Sequence, residues 1–310
     1  MGSDDRVRNI VLGDVEVIRV VEWHEPFLPT TEFLPDVDAE VWTDNANWLT
    51  PEHWQPDTGR MVIALQSWVL RSGGRTILVD TGAGNRRERP GMAPWFHQRE
   101  SDLLALLSEA GVQPHDVDVV VNTHLHVDHA GGNTVDAGGR WVPAFPNAQY
   151  LIPAADDAFY GPDNASGEGL GEVDRLVYED SVAPIHEAGQ AVLWDGVYTV
   201  DEHLTVESAP GHTPGTSVLR LASGSDRAVF AGDVLHSPVQ ILDSCCNSAF
   251  CYMPQEAAAS RRRILERAAD ERELLMPGHF GALEVRRSNG EFAVDRWAAF
   301  GPGSANGQTD

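Results

Sequence analysis

Three imidazoles and a carboxylate fall within six residues in the run Asn122-Thr123-His124-Leu125-His126-Val127-Asp128-His129-Ala130-Gly131-Gly132. Neutral imidazole nitrogen and carboxylate oxygen both suit zinc and its first-row neighbours. A lone histidine would read as an ordinary polar loop residue, whereas His124-x-His126-x-Asp128-His129 reads as part of a metal site. Residues 117–121 just ahead are a continuous apolar, β-branched run, the pattern of a strand buried on both faces. Side chains alternate along a strand, so His124 and His126 are expected to leave its end pointing the same way. Asp128 and His129 should follow in the turn, with Gly131-Gly132 letting the backbone bend tightly around them.

The same arrangement, apolar strand then glycine then a metal-capable side chain, recurs at His212 in Ala209-Pro210-Gly211-His212-Thr213-Pro214-Gly215, at Asp233 after Ala231-Gly232, and at His279 after Pro277-Gly278. Ligands leaving the ends of several strands can converge at one edge of a sheet sandwich. Asp80, at a strand end in the glycine-rich Asp80-Thr81-Gly82-Ala83-Gly84, is either a turn carboxylate or a partner that holds a metal-bound imidazole.

The elements that must position these groups are read in order. A first strand covers 15–21. Residues 23–60 read as a long irregular flap carrying Trp23, Phe27, Phe33, Trp42, Trp48 and Trp54. Residues 61–70 and 76–79 form a hairpin about 72–75, and 99–110 a helix ending near Gly111. Short strands at 149–152, 191–193 and 204–206, a helical turn at 154–160 and a surface loop at 161–175 follow. A second hairpin joins 217–221 to 227–230. The Ala- and Arg-rich stretch 255–269 is the clearest helix, a final strand covers 273–276, and 301–310 read as a disordered polar tail.

Composition excludes several classes of partner. The chain has 310 residues, 42% hydrophobic, with nine Trp, enough for a full core. Its 47 acidic residues face 22 basic ones, all Arg, for a net charge of -25. Nucleic acid and anionic membrane surfaces both call for a basic face, so neither is an expected partner. No run is long and apolar enough to span a bilayer, and no secretory signal is read at the N-terminus. The odd, crowded Cys245, Cys246 and Cys251 are not a disulfide framework, so a cytoplasmic location is expected. Cys245 and Cys246 are read as small buried hydrophobes, the alternative being that they border a pocket beyond Asp233.

Taken together, the motifs around His124, His212, Asp233 and His279, over roughly residues 60–285, resemble the metallo-β-lactamase superfamily in its dinuclear hydrolase form. The resemblance implies an α/β fold (α+β by some schemes), a four-layer αββα sandwich, as a single domain over 1–300 with the aromatic flap at 23–60. It implies that His124, His126 and His212 hold one divalent ion, that Asp128, His129 and His279 hold the other, and that Asp233 bridges them. Asp80 matches the aspartate that supports a metal-bound imidazole in these proteins. Zinc is the expected metal. Held about 3.5–4 Å apart, two such ions could share a hydroxide, and the resemblance implies that this would attack a lactone or ester carbonyl. Asp128 is then expected to pass a proton to the leaving oxygen. His236, three residues after Asp233, reads either as a catalytic hydrogen-bond donor to substrate or to Asp233, or as an ordinary core histidine.

Departures narrow the branch. The commonest dizinc β-lactamases carry Cys where Asp233 stands and lack the Asp128-His129 pair. The tRNA-processing nucleases need a basic surface, glyoxalase II carries glutathione-holding basic residues and a helical C-terminal portion, and persulfide dioxygenases use a single iron with fewer ligands. Residues 232–253 and Phe145-Pro146-Asn147-Ala148 resemble the N-acyl-homoserine lactonase and methyl parathion hydrolase branch. The expected partner is a mainly hydrophobic small molecule, with at least two of Phe27, Phe33, Trp42, Trp48 and Trp54 supplying the pocket wall, the alternative being that the stretch only covers one flank of the core. A homodimer is left open. Alternatives on the same fold are a thioesterase or polyketide-tailoring hydrolase, a phosphotriesterase, and a non-catalytic metal-binding protein.

Overall fold

The structure is a computed structural model that describes residues 6–92, 96–162, 164 and 169–302. Its first sheet uses β1 (Val7–Leu12), β2 (Val15–Pro29), β3 (Trp54–Gln55), β4 (Arg60–Ser72), β5 (Arg75–Val79) and β6 (Val119–Val121). A small hairpin of β7 (Thr134–Asp136) and β8 (Trp141–Pro143) precedes β9 (Gln149–Pro153) and β10 (Ala191–Trp194). The second sheet runs in the order β11 (Val197–Thr199), β12 (Leu204–Ser208), β13 (Ser217–Ser223), β14 (Asp226–Gly232), β15 (Leu274–Pro277), β16 (Leu283–Ser288) and β17 (Glu291–Trp297). The first sheet's order is β10-β9-β6-β5-β4-β2-β1, closed at the far edge by β18 (Gly301–Pro302), with β3 added alongside β4.

Alternation explains the layering. Along β4 to β6 and β9, Trp68, Leu70, Ile77, Val79, Val119, Val121 and Leu151 face the second sheet, meeting Leu204, Val206, Leu219, Phe230 and Met276. Their neighbours Val69, Leu78, Val120, Tyr150 and Ile152 point the other way, onto the helix Leu103–Glu109. Strands buried on both faces lose the polar alternation of a half-exposed strand, hence the continuous apolar runs. On the opposite side Ile264 and Leu265 of the helix Pro254–Glu271 cover Val218, Val229 and Leu275. The result is helix, sheet, sheet, helix, the expected αββα sandwich.

Strand direction decides where the chemistry gathers. β5, β6 and β9 are mutually parallel, as are β14 and β15. β12 is antiparallel to β13, which is antiparallel to β14, so β12 runs with β14. The segments leaving the C-terminal ends of β5, β6, β12, β14 and β15 carry Asp80, His124, His212, Asp233 and His279. Among the described residues no helix is long and apolar enough to cross a membrane.

Several expectations are corrected. β2 continues to Pro29, so the stretch 23–60 is not structureless: it completes a strand, then forms short helices Thr30–Phe33, Ala39–Asp44 and Ala46–Leu49 before β3. The loop expected at 161–175 gives way to a helix at Glu172. β1 and the hairpin β16–β17 were not anticipated, and Gly301–Pro302 pairs with Arg8 and Asn9 instead of belonging to a free tail. Residues 303–310 of that tail lie outside the described residues. His124 and His126 do not extend the strand. β6 stops at Val121, and Asp128 and His129 occupy the short helix Val127–Ala130 rather than a turn.

The Gly131-Gly132 pair serves close approach rather than bending, since Gly131 has ordinary helical angles (φ -57°, ψ -33°). A Cβ on Gly132 would lie 2.0 Å from the Thr81 carbonyl oxygen. Backbone cannot yield as a side-chain tip can, so Gly132→Ala is expected to lower the melting temperature by about 3–10 °C. An unchanged thermal melt would show that the loop after β5 is free to move away.

Candidate metal centre

Asp233 stands at the middle of the cluster. Its Oδ2 lies 3.6 Å from His124 Nε2 and 3.2 Å from His212 Nε2. Its Oδ1 lies 3.0 Å from both His129 Nε2 and His279 Nε2. His126 completes the first set, with Nδ1 2.8 Å from His212 Nε2. Asp128 completes the second, with Oδ2 3.7 Å from the Nε2 atoms of His129 and His279. Thus the donor atoms of His124, His126, His212 and Asp233 lie within 4.8 Å of one another, as do those of Asp128, His129 and His279.

These atoms fit a cation better than they fit each other. His124 Nε2, His129 Nε2 and Asp233 Oδ1 are buried without a hydrogen-bond partner, although the last two are 3.0 Å apart. Buried polar atoms left unpaired are costly, and atoms that approach without aligning share a common target. The far side of three rings is fixed. His129 Nδ1 donates to Asp80 Oδ2 at 2.8 Å, and His279 Nδ1 donates to the Ala64 carbonyl at 2.8 Å. The Thr123 hydroxyl donates to Asp80 Oδ2 at 2.8 Å and so receives His124 Nδ1 at 3.1 Å. Each ring therefore keeps Nε2 bare as a ligand atom.

Asp80 reaches both halves, directly through His129 and through Thr123 to His124, and its other oxygen accepts the Thr123 backbone N–H at 2.8 Å. It pays for this position with φ +58°, a region that Asp tolerates better than most residues. Gly232 (φ +46°) is needed beside it, because a Cβ there would meet Thr123 Oγ1 at 2.8 Å.

Burial, reinforced by neighbouring imidazoles, pushes His124 and His126 well below the ordinary histidine value, toward the neutral, ligand-competent form. Burial works against ionising Asp233 too, but the imidazoles of His129, His279 and His236 outweigh it and hold its carboxyl well below the usual range.

His236 is buried with both ring nitrogens unpaired, and its Nε2 sits 3.1 Å from Asp233 Oδ2. Its ring stacks on His279 at 5.5 Å and meets Phe33 edge-on at 5.4 Å. Burial drives it down to about 3.

A cavity of about 400 Å³ opens onto the cluster. Phe27 and Phe33 line it, together with Met92, Phe96, Phe250 and Tyr252. Trp42, Trp48 and Trp54 do not. Trp42 packs against Trp54 at 6.0 Å within the core behind the wall, and the Trp48 indole donates to Asn45 Oδ1. Cys246 is buried as expected, Cys245 is exposed, and neither borders the cavity, whereas Cys251 does.

Asp156 was not anticipated. It is buried and accepts from Leu125 N at 3.0 Å, Thr213 Oγ1 at 2.9 Å and Gly215 N at 2.6 Å. One carboxylate so pins the loop of His124 and His126 to the loop of His212. Burial pushes it up to about 6, opposed by those hydrogen bonds. It sits in a short helix among other acidic residues, with no local signal to separate it from them.

Fold and centre together are those of the metallo-beta-lactamase superfamily, whose description matches residues 64–279, and the chain belongs to that superfamily. Among its curated relatives, the chain is 32% identical over 129 residues to the N-acyl homoserine lactonase AttM of Azorhizobium caulinodans, covering 39% of this chain and 42% of the relative. It is 27% identical over 224 residues to metallo-beta-lactamase domain-containing protein 1 of Mus musculus, covering 71% of this chain and 65% of the relative. In neither case do the matched segments reach two thirds of the relative's length. Among solved structures, AidC, a dizinc quorum-quenching lactonase in complex with a product, superposes with a TM-score of 0.74 at 24% identity, covering 93% of this chain and 96% of that one. That likeness is one of fold.

Proposed function

We propose that the protein is a metal-dependent hydrolase of small, mainly hydrophobic lactones or esters. The observation that carries this reading is the split of Asp233, one oxygen toward His124 and His212 and the other toward His129 and His279. A carboxylate so divided suits a bridge between two ions, with His124, His126 and His212 holding one and Asp128, His129 and His279 the other. When bound, two divalent ions, zinc in our reading, polarise the scissile oxygen and supply a water-derived nucleophile at neutral pH. The curated relatives named as lactonases support a lactone substrate.

The side chains around the centre then have distinct tasks. Asp80 and Asp156 hold the ligand loops. His236 lies 3.1 Å from Asp233 Oδ2 on the cavity side, close enough to steady that oxygen by turning its Nε2–H onto it. Asp128 faces the cavity, where its carboxyl can pass a proton to the leaving alkoxide. Phe27, Phe33, Phe96 and Phe250 bury the organic part of the substrate and exclude water. The net charge of -25 argues against nucleic-acid partners, and the three free cysteines fit a reducing, cytoplasmic setting.

The test joins metal analysis to a substrate panel. Purified protein is expected to carry close to two divalent ions per chain, and chelation to abolish turnover of lactones and aryl esters until metal is restored. Phe33→Ala is expected to raise KM about tenfold with metal content unchanged, the loss of one buried aromatic contact. Full metal occupancy with no turnover of lactones, aryl esters, thioesters or phosphotriesters would overturn the reading in favour of a binding role.

A further inference from the structure

His124, His129 and His279 each have the nitrogen turned away from Asp233 held by an oxygen atom. His212 differs, because its partner is sulfur. Its Nε2 lies 3.2 Å from Asp233 Oδ2, and its Nδ1 lies 3.7 Å from Cys251 Sγ. Sulfur is a larger and weaker acceptor than oxygen, which suits the longer contact. Cys251 Sγ is also 3.5 Å from Ser248 Oγ. A thiol has one proton, and giving it to Ser248 Oγ leaves the sulfur lone pairs free to accept the His212 Nδ1–H.

The backbone brings ring and sulfur together. Tyr252 N–H donates to the His212 carbonyl at 3.0 Å, and Met253 N–H donates to the Gly211 carbonyl at 2.9 Å. Residues 251–253 therefore lie along the His212 loop whatever side chain stands at 251. Cys251 N–H donates to the Ser248 carbonyl at 3.1 Å, which closes the turn that carries the thiol. The sulfur is not itself a ligand. It meets one nitrogen of the His212 ring while the other faces Asp233, and it belongs to none of the groups of converging donor atoms.

The two ligand groups are unequal. Asp128 brings a carboxylate of its own to His129 and His279, whereas His124, His126 and His212 are neutral and have only Asp233 for charge. Opposite charge strengthens the hold on a dication. Outer support is unequal too, since His129 donates to the Asp80 carboxylate and His212 to a thiol. Hydrogen bonds to an ionised acceptor are roughly twice as strong as neutral ones.

We propose that Cys251 is a positioning residue for the ion held by His124, His126 and His212. Its sulfur accepts the His212 Nδ1–H, keeps Nε2 bare and aimed at the cluster, and so sets the affinity of the more weakly held ion. The role rests on the two-ion reading above and is independent of which lactone or ester is turned over.

The test follows zinc content against a graded chelator for wild type, Cys251→Ala and Cys251→Ser. Cys251→Ala is expected to hold one ion as wild type does and the other about tenfold more weakly, the lower end of the cost of losing a group that orients a ligand. Its metal-free melting temperature should fall by no more than about 3 °C, because the backbone bonds to Gly211 and His212 remain. Cys251→Ser supplies an oxygen acceptor on a shorter bond and should regain a clear part of the lost affinity. NMR of the histidine rings identifies the ion concerned. At the chelator level that leaves Cys251→Ala with one ion per chain, His124, His126 and His212 should show metal-free signals while His129 and His279 keep those of the loaded protein. Unchanged affinity for both ions, equal weakening of both, or a Ser variant no better than Ala would overturn the positioning role, and two ions bound to wild type would leave the reading of the centre intact. Absence of lactone or ester turnover in a protein that shows the expected affinities would instead overturn the hydrolase reading alone.

Discussion

Asp233→Ala is expected to strip the protein of both ions and to reduce kcat/KM by about four orders of magnitude or more. Five imidazole nitrogens lie 3.0–3.6 Å from its two carboxylate oxygens: those of His129, His279, His236, His212 and His124. Without the carboxylate, a buried ring of nitrogens must hold two dications with one remaining negative ligand, Asp128. Asp233→Asn keeps the volume but has one carbonyl oxygen and no charge, so it should fail as a bridge almost as completely. Elemental analysis of both purified variants, beside rates on a lactone, checks this. A variant that keeps two ions per chain and near-wild-type turnover would remove Asp233 from the centre.

Asp80→Ala is expected to weaken metal affinity about 10- to 100-fold, the usual cost of removing a group that orients a ligand. Asp80 touches no cation in the proposed arrangement. Its oxygens fix the His129 tautomer and, through Thr123, the His124 ring, so both halves of the site loosen together. Asp80 also occupies φ +58°, where Ala is less comfortable than Asp, which adds about 1 kcal/mol of backbone cost. Asp80→Asn separates the two effects, because Asn tolerates that backbone region and still presents one accepting oxygen. It should lose less affinity than Ala and little stability. Chelator competition gives the affinities and a thermal melt of the metal-free protein gives the stability. If Asp80→Ala binds both ions as tightly as wild type, the orienting role is wrong.

Much of the candidate centre was legible because most of its donor side chains follow an apolar strand within a few residues. His124, His126, His212, Asp233 and His279 all sit just beyond β-branched or Ala/Gly-rich runs, and the strands' double burial is written in their unbroken hydrophobicity. Residue type at short spacing states what a site can bind, and periodicity states which faces are buried. The long aromatic stretch was misread because its helices span only four to six residues, too short for a helical period to show.

What the sequence alone determined is the candidate donor set and the layered, doubly buried strands that carry it. What only the tertiary structure decided is which distant groups meet. Asp156 joins loops 31 and 57 residues away, Tyr252 finds Asp174 across 78 residues, and Trp42 and Trp54 turn into the core while Phe27 and Phe33 reach the cavity. The physical reason is that local pattern reports the chain's own preferences over a turn or a strand. These pairings are fixed instead by parallel strand ends and by the packing of separately folded segments, where any buried polar group must find a partner wherever the fold has brought one.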